Sequence, residues 1–165
     1  MQLTTKEILA FRSLNRPIDK NWIDWAVTML EKGHDTKHLC ILAGESTPYE
    51  YKQFELIELV DITFEELGLT YSDKDLVIKE YVAEFLQYML NGVRTSQEVL
   101  RELRDLYIEL DYIDYLSDFY YLSYAQGDLL IADVQYYWPE ATRSNIENII
   151  QQVSRNWIDN LEIQV

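Results

Sequence analysis

Apolar residues recur every three or four positions along almost the whole chain, which is the spacing of one face of an α-helix. No stretch alternates apolar and polar residues over a useful length, as a half-buried strand does. The pattern therefore predicts an all-α protein, a single-domain helical bundle or orthogonal helix array of about seven to eight helices. The domain covers residues 1–165, with a candidate internal seam near 70–74. The clearest stripe is Trp22, Trp25, Ala26, Met29 and Leu30.

Helix starts are marked by side chains that can accept hydrogen bonds from the first backbone N–H groups. Two of these signals have the spacing of a capping box, and a third places proline at the first helical position. The sequence thus predicts where most helices begin. The start signals are Thr4-x-x-Glu7, Asp19, Asp35, Thr47-Pro48-Tyr49-Glu50, Ser72-x-x-Asp75 and Thr95-x-x-Glu98.

The later helices have fewer boundary signals in the sequence. We expect Asp111 to begin a tyrosine-rich helix that runs to about Gln126, with Gly127 just past its end. Residues 128–138 fit either a helix or an extended stretch. Pro139 restricts the residue before it and is expected to break the chain direction.

The inward faces of these helices predict one hydrophobic core. A chain of this length buries roughly 70% of its unfolded surface, so such a core needs no disulfide. The one cysteine, Cys40, has apolar neighbours and is expected to be buried and structural. The side chains expected in the core are Trp22, Trp25, Leu56, Val60, Phe64, Tyr81, Phe85, Leu103, Leu106, Ile149 and Val153.

The net charge of −15 is distributed unevenly. Residues 45–73 hold eight acids and one base, and residues 105–142 hold eight acids and no base, while the rest is neutral. Nucleic-acid backbones and anionic membranes require basic patches, so neither is expected as a partner. A basic protein surface is attracted by such a field. The alternative is that the acidic faces only keep the protein soluble.

The chain start has no cationic residues followed by an apolar run, so no signal peptide is expected. No stretch approaches the roughly 18 apolar residues of a membrane span. A single cysteine gives no indication of an oxidising compartment. These features predict a cytoplasmic protein and leave its oligomeric state open.

One short segment collects metal-ligand residue types: His34, His38 and Cys40. Gly33 places a helix boundary beside His34, so the two histidines are not expected to share a helix face. The glutamate of an H-E-x-x-H motif is absent, and so are a Gly-rich phosphate loop and a G-x-S-x-G motif. We therefore predict no metal, no cofactor and no enzymatic activity.

The strongest candidate site is the base-free segment 105–142, where eight acids are interleaved with ten aromatic residues. Tyrosine is enriched at binding hot spots, and carboxylates beside it suit a basic partner. The alternative is that the tyrosines only reach the surface from the core. The predicted partner-binding residues are Asp111, Asp114, Asp118 and Tyr121, with a second group, Phe54, Glu58, Asp61 and Glu65, on the outer face of an earlier helix.

Two stretches resemble a known group of proteins. Residues 21–45 (NWIDWAVTMLEKGHDTKHLCILAGE), with 65–69 (EELGL), resemble the front of an uncharacterised family of small helical bacterial proteins. Residues 80–122 (EYVAEFLQYMLNG, RELRDLYIELDY and LSDFYYL) resemble the second half of similar proteins. Size and acidity are similar in style to immunity proteins, which neutralise a cognate toxin. The resemblance implies a helical fold and a protein partner, and no catalytic residue.

Two functions follow from these observations. The first is a non-enzymatic acidic helical protein that binds a basic protein partner, of which a toxin-neutralising immunity protein is one form. The alternative is a structural or accessory helical module without a dedicated acidic interface.

Overall fold

The computed structural model describes residues 3–46 and 49–163, and these residues form helices and loops with no strand. Eight α-helices lie within the described residues, which confirms the predicted all-α class and helix number. Two 3-10 segments, Tyr49–Lys52 and Asp114–Leu116, precede the fourth and seventh helices. The helices are α1 (Thr5–Ser13), α2 (Lys20–Glu31), α3 (Lys37–Ala43), α4 (Gln53–Leu67), α5 (Lys74–Leu90), α6 (Ser96–Glu109), α7 (Ser117–Ile131) and α8 (Ile146–Ile163).

The chain divides into two compact units, an N-terminal unit (Met1–Tyr81) and a C-terminal unit (Val82–Val165). The boundary falls inside α5, so this helix contributes residues to both. A single domain over residues 1–165, with a seam near 70–74, stays a prediction. None of the helices formed by the described residues combines the length and apolar character that crossing a lipid bilayer requires.

Capping side chains begin several helices as the sequence predicts. Thr4 and Thr95 each form a complete capping box with the glutamate three residues later. Asp19 accepts a hydrogen bond of 2.9 Å from the Asn21 N–H. These bonds satisfy backbone donors that have no partner inside the helix.

Two other helices begin at a different residue from the one predicted. Thr36, not Asp35, caps α3. At the start of α5, the Asp73 carboxylate accepts from the Leu76 N–H at 3.0 Å, while the Ser72 hydroxyl pairs with a neighbouring threonine. The start signal at residues 47–50 lies partly outside the described residues, and the chain enters α4 through the first 3-10 segment.

The N-terminal unit has a core built from α1 to α4, in which α3 packs against both α2 and α4. The rings of Trp25 and Phe64 meet edge to face with centroids 6.0 Å apart. The buried Trp25 indole donates to the Thr5 hydroxyl at 3.2 Å, so its polar atom is satisfied. The structure confirms the burial of the core residues predicted here, Trp22, Trp25, Leu56, Val60, Phe64 and Tyr81.

Cys40 is exposed, so the prediction of a buried structural cysteine is wrong. The short helix α3 turns Leu39 and Leu42 into the core, and Cys40 points away from that pair. Its Sγ lies 3.6 Å from a carboxylate oxygen of Asp35. Partial desolvation and this carboxylate raise the pKa of the Cys40 thiol.

In the C-terminal unit α7 packs against α6 and α8. Phe119 is fully buried, with its ring centroid 6.2 Å from that of Trp157 on α8. The Trp157 indole donates to the backbone oxygen of Tyr115 at 2.9 Å, which ties α8 to the 3-10 segment before α7. The predicted burial of Phe85, Leu103 and Leu106 is confirmed.

Along α8 the buried positions differ from the two core residues predicted from the sequence. Ile149 and Val153 are only half-buried, so their prediction as core residues is wrong. The buried row instead runs through Ile146, Ile150, Ser154 and Ile158. Ser154 fits this row because its hydroxyl donates to the Ile150 carbonyl at 2.7 Å.

The helix predicted to begin at Asp111 begins at Ser117 instead. Asp111 and Tyr112 have positive φ angles of 55° and 64°, so the chain turns sharply after α6 before the 3-10 segment leads into α7. The helix then continues through Gly127 to Ile131. Residues 128–131 thus complete α7, and 132–138 form neither a helix nor a strand.

Candidate functional site

A connected chain of tyrosine rings lies on the C-terminal unit. It starts on α6 and the turn after it, crosses α7 and ends in the loop that follows α7. Successive ring centroids are between 4.7 and 5.5 Å apart, within the range of favourable aromatic contacts. The contacting pairs are Tyr112 with Tyr107, Tyr107 with Tyr120, Tyr120 with Tyr121 and Tyr124, and Tyr124 with Tyr137.

The tyrosine chain has a buried centre and an exposed edge. Tyr107 is buried and Tyr120 is half-buried, so these two rings anchor the tyrosine chain in the C-terminal unit. Tyr112, Tyr121 and Tyr137 expose 57%, 44% and 42% of their surface. Rings held by neighbours lose little conformational freedom when a partner binds them.

The first predicted partner-binding group has four residues. Three of them are exposed aspartates beside the tyrosine chain. Asp111 precedes Tyr112 in the turn, and Asp118 lies one helical turn before Tyr121 on α7. Asp114 is close enough to Tyr107 to act on the pKa of its hydroxyl. We call these aspartates and the six tyrosines the acidic tyrosine face: Asp111, Asp114, Asp118, Tyr107, Tyr112, Tyr120, Tyr121, Tyr124 and Tyr137.

The charge of the acidic tyrosine face comes from its aspartates. Desolvation, with smaller contributions from Tyr121 and Asp114, raises the pKa of Tyr107 above its ordinary value. The hydrogen bond to Tyr124, together with desolvation, raises the pKa of Tyr120. Both phenols are therefore neutral at physiological pH. The face thus combines aromatic rings with carboxylates.

Arg104 borders the acidic tyrosine face. The guanidinium carbon of Arg104 lies 6.0 Å from the centroid of the Tyr124 ring. The same guanidinium donates to one Asp105 oxygen from Nη2 at 2.9 Å and from Nε at 3.1 Å. An arginine of the protein itself thus contacts both an aromatic ring and a carboxylate at the border of this face.

The second predicted group, on α4, is divided by an internal ion pair. Phe54 is 84% exposed, and Glu58 and Glu65 are exposed as well. Asp61 is half-buried, with its carboxylate bound to Arg12 by a salt bridge of 2.7 Å. The structure thus places three of these residues on the surface and commits the fourth to the N-terminal unit's own structure.

A polar cluster that sequence reasoning missed lies in a cleft of about 500 Å³ in the C-terminal unit. The buried Gln126 amide donates to the Ser96 hydroxyl at 2.8 Å and to Glu147 at 2.7 Å. Ser96 in turn donates to the same Glu147 oxygen at 2.9 Å. The sequence signal for this cluster is a glutamine in the inward stripe of α7. Its partners Ser96 and Glu147 could not be assigned from the sequence, because they lie far from it along the chain.

The candidate metal residues are not brought together. His38 is bound to Glu66, with its ring Nδ1 2.6 Å and its backbone nitrogen 3.0 Å from the two carboxylate oxygens. Across residues 3–46 and 49–163, no group of three or more His, Cys, Asp or Glu side chains is arranged to hold a metal ion.

Comparison of the chain with protein-family models, with curated proteins and with solved structures finds no match. The resemblance to an uncharacterised family of small helical bacterial proteins, and in style to immunity proteins, therefore stays a prediction. The arrangement of the residues is what supports a function.

Proposed function

We propose that this protein is a non-enzymatic binding protein that engages a basic protein partner through the acidic tyrosine face. Neutralisation of a cognate toxin is the form of this function that the resemblance suggests. The observation that carries the proposal is the continuous row of tyrosine rings with exposed edges, flanked by three exposed aspartates.

The electrostatics of the segment support a basic partner. Residues 105–142 contain no lysine or arginine, so this whole segment supplies no base of its own. Carboxylates on the rim of an interface attract an oppositely charged surface and raise the association rate. The field of three nearby aspartates therefore favours a lysine- or arginine-rich surface over a neutral one.

The packing of the tyrosines supports binding rather than solvation alone. An acidic surface that served only solubility would not need large aromatic side chains in mutual contact with exposed rings. Tyrosine supplies a large rigid area and a hydroxyl, and it is among the residues that contribute most to binding energy at interfaces. Tyr121 combines these properties because it touches Tyr120 and exposes 44% of its surface.

The test is capture of partners from extracts of the native cell with the full-length protein as bait, followed by titration of the captured protein. The test variant is Asp114→Lys/Asp118→Lys, which reverses two exposed charges of the face. We expect association at least about tenfold slower, with a weaker dependence of the rate on salt, because steering depends on rim charges. Circular dichroism should show an unchanged helical fold.

The matched control is Glu31→Lys/Glu50→Lys, which reverses two exposed charges of the N-terminal unit outside both predicted partner-binding groups and gives the same net charge. This control should bind the partner at least about three times faster than the test variant does. Equal binding by the test variant and the wild type would contradict the proposal. It would favour the alternative of a helical module without a dedicated acidic interface.

A further inference from the structure

We infer that the acidic tyrosine face recognises arginine rather than lysine side chains of its partner. This inference rests on the proposed function and specifies the chemistry of the partner. Its basis is a comparison of two arrangements. The protein binds two of its own arginines with a tyrosine ring and a carboxylate, and the face exposes tyrosine rings beside carboxylates in the same way.

The N-terminal unit contains a complete arginine site. Arg12 donates to both oxygens of Asp61, from Nε at 2.8 Å and from Nη2 at 2.7 Å. Its guanidinium carbon lies 5.0 Å from the centroid of the Tyr71 ring, and the Tyr71 hydroxyl donates to Asp61 at 2.8 Å. Aspartate and tyrosine together thus bind both the edge and the plane of one guanidinium.

The C-terminal unit repeats this combination at the border of the acidic tyrosine face. Arg104 lies over the Tyr124 ring and donates twice to Asp105. The ring that it covers belongs to the same chain of contacts as the exposed Tyr121 and Tyr137. An arginine of this protein therefore already lies over one ring of the tyrosine chain.

The exposed part of the face has the same two components without a base from its own segment. Tyr121 and Asp118 are one helical turn apart on α7, and both are exposed. Tyr112 and Asp111 are neighbours in the turn after α6, and both are exposed too. Because segment 105–142 has no base, a guanidinium for these pairs has to come from outside that segment.

The choice of arginine follows from the chemistry of the two basic side chains. A guanidinium is planar and weakly hydrated, so it stacks on a tyrosine ring and binds a carboxylate through two parallel hydrogen bonds. A lysine ammonium is compact and strongly hydrated, and it gains mainly charge attraction. A surface of aspartates alone would bind both, whereas rings beside aspartates favour arginine.

The experiment titrates the full-length protein with two fluorescein-labelled peptides of equal length and charge, one based on arginine and one on lysine. At physiological salt the arginine peptide should bind about three- to tenfold more tightly. In Tyr121→Leu/Tyr137→Leu this ratio should fall to within about twofold of unity, whereas Tyr121→Phe/Tyr137→Phe should keep it, because phenylalanine also stacks with a guanidinium. The control Tyr51→Leu removes an exposed ring of the N-terminal unit and should keep the ratio.

The charge and ring variants distinguish failure of the arginine inference from failure of the proposed function. If both peptides bind the wild type equally, or if the leucine variant keeps the ratio, the arginine inference is overturned. In that case weaker binding of both peptides by Asp114→Lys/Asp118→Lys leaves the proposed function standing. If that charge reversal changes the binding of neither peptide, the acidic tyrosine face is not the basic site and both proposals fail.

Discussion

Arg12 and Asp61 form a two-point ion pair that joins α1 to α4. Both guanidinium–carboxylate distances are below 3 Å, at 2.8 and 2.7 Å, and the Tyr71 hydroxyl adds a third hydrogen bond to Asp61. The pair lies 49 positions apart in sequence. It explains why Asp61 does not share the exposure of Glu58 and Glu65, although helical spacing places all three on one face of α4.

Replacing Asp61 by asparagine should destabilise the protein by about 1–3 kcal/mol. The half-buried Arg12 then loses a charged partner, and hydrogen bonds to charged groups contribute about this much. Urea unfolding measures the loss, and a double-mutant cycle with Arg12→Met isolates the coupling between the two side chains. Strictly additive effects of the two substitutions would contradict a functional ion pair here.

Acidification should weaken the fold partly through Glu66. Hydrogen bonds from Thr36 and His38 hold the pKa of Glu66 at about 2, below its ordinary value of 4.5. A depressed carboxyl pKa contributes stability that is fully present above the unfolded-state pKa and is lost as pH falls towards the folded-state pKa. The stability difference between wild type and Glu66→Gln should therefore shrink between about pH 5 and pH 2, as urea unfolding across that range would show.

The matched control for Glu66→Gln is Glu65→Gln, an exposed neighbour on the same helix. Its difference from the wild type should change less over the same pH range. If Glu65→Gln shows the larger pH dependence, the cap that Glu66 provides to the start of α3 does not contribute to acid stability.

The helices themselves could be predicted from sequence because their signals are local. A capping box such as that of Thr95 needs only four consecutive residues, and an apolar stripe needs only a few turns. The turn after α6 could not be predicted, because Asp111 and Tyr112 adopt positive φ angles that neither residue type requires. The row of α8 that faces the core could be predicted only in part, since the buried Ser154 is polar in sequence and its hydroxyl is satisfied within the helix.

The phase of α8 can be tested by truncating two neighbouring isoleucines. Ile150 is fully buried, so Ile150→Ala should cost about 2–5 kcal/mol, the usual range for emptying such a site. Ile149 is half-buried, so Ile149→Ala should cost at least about 1 kcal/mol less. Chemical denaturation of both variants gives the comparison. The reverse order would support Ile149, rather than Ile150, as the core residue of α8.

Gly127 lies inside α7, where alanine should stabilise the protein by about 0.5–1 kcal/mol. An added Cβ meets nothing within 4 Å, and its φ is not in the left-handed region. Alanine loses less chain entropy than glycine on folding. The control is Gly68→Ala, which should destabilise because Gly68 ends α4 with φ at +67°. Thermal unfolding of both variants should therefore shift the midpoint in opposite directions.

Composition and helical spacing predicted the residues of the candidate site but not the contacts between its rings. The base-free acidic segment and the exposure of Asp114, Asp118 and Tyr121 follow from the sequence, and the structure places all three on the surface. The contacts that join the rings depend on how α6, α7 and the loop after α7 pack. Tyr107 and Tyr137, for example, are far apart in sequence and connect through Tyr120 and Tyr124.

Tyr121 should be the binding hot spot of the acidic tyrosine face. Its ring is supported by Tyr120 at 5.5 Å and remains 44% exposed, so a partner can cover it without reordering the side chain. Tyr121→Ala should therefore cost about 2 kcal/mol or more of binding free energy to the captured partner, as such anchors do. Isothermal titration calorimetry measures this cost. Tyr51→Ala, which removes a ring 88% exposed on the N-terminal unit, should cost less than about 0.5 kcal/mol, because a ring outside the interface contributes little to binding. Equal losses at the two tyrosines would mean that exposure alone, and not the supported row of rings, determines where the partner binds.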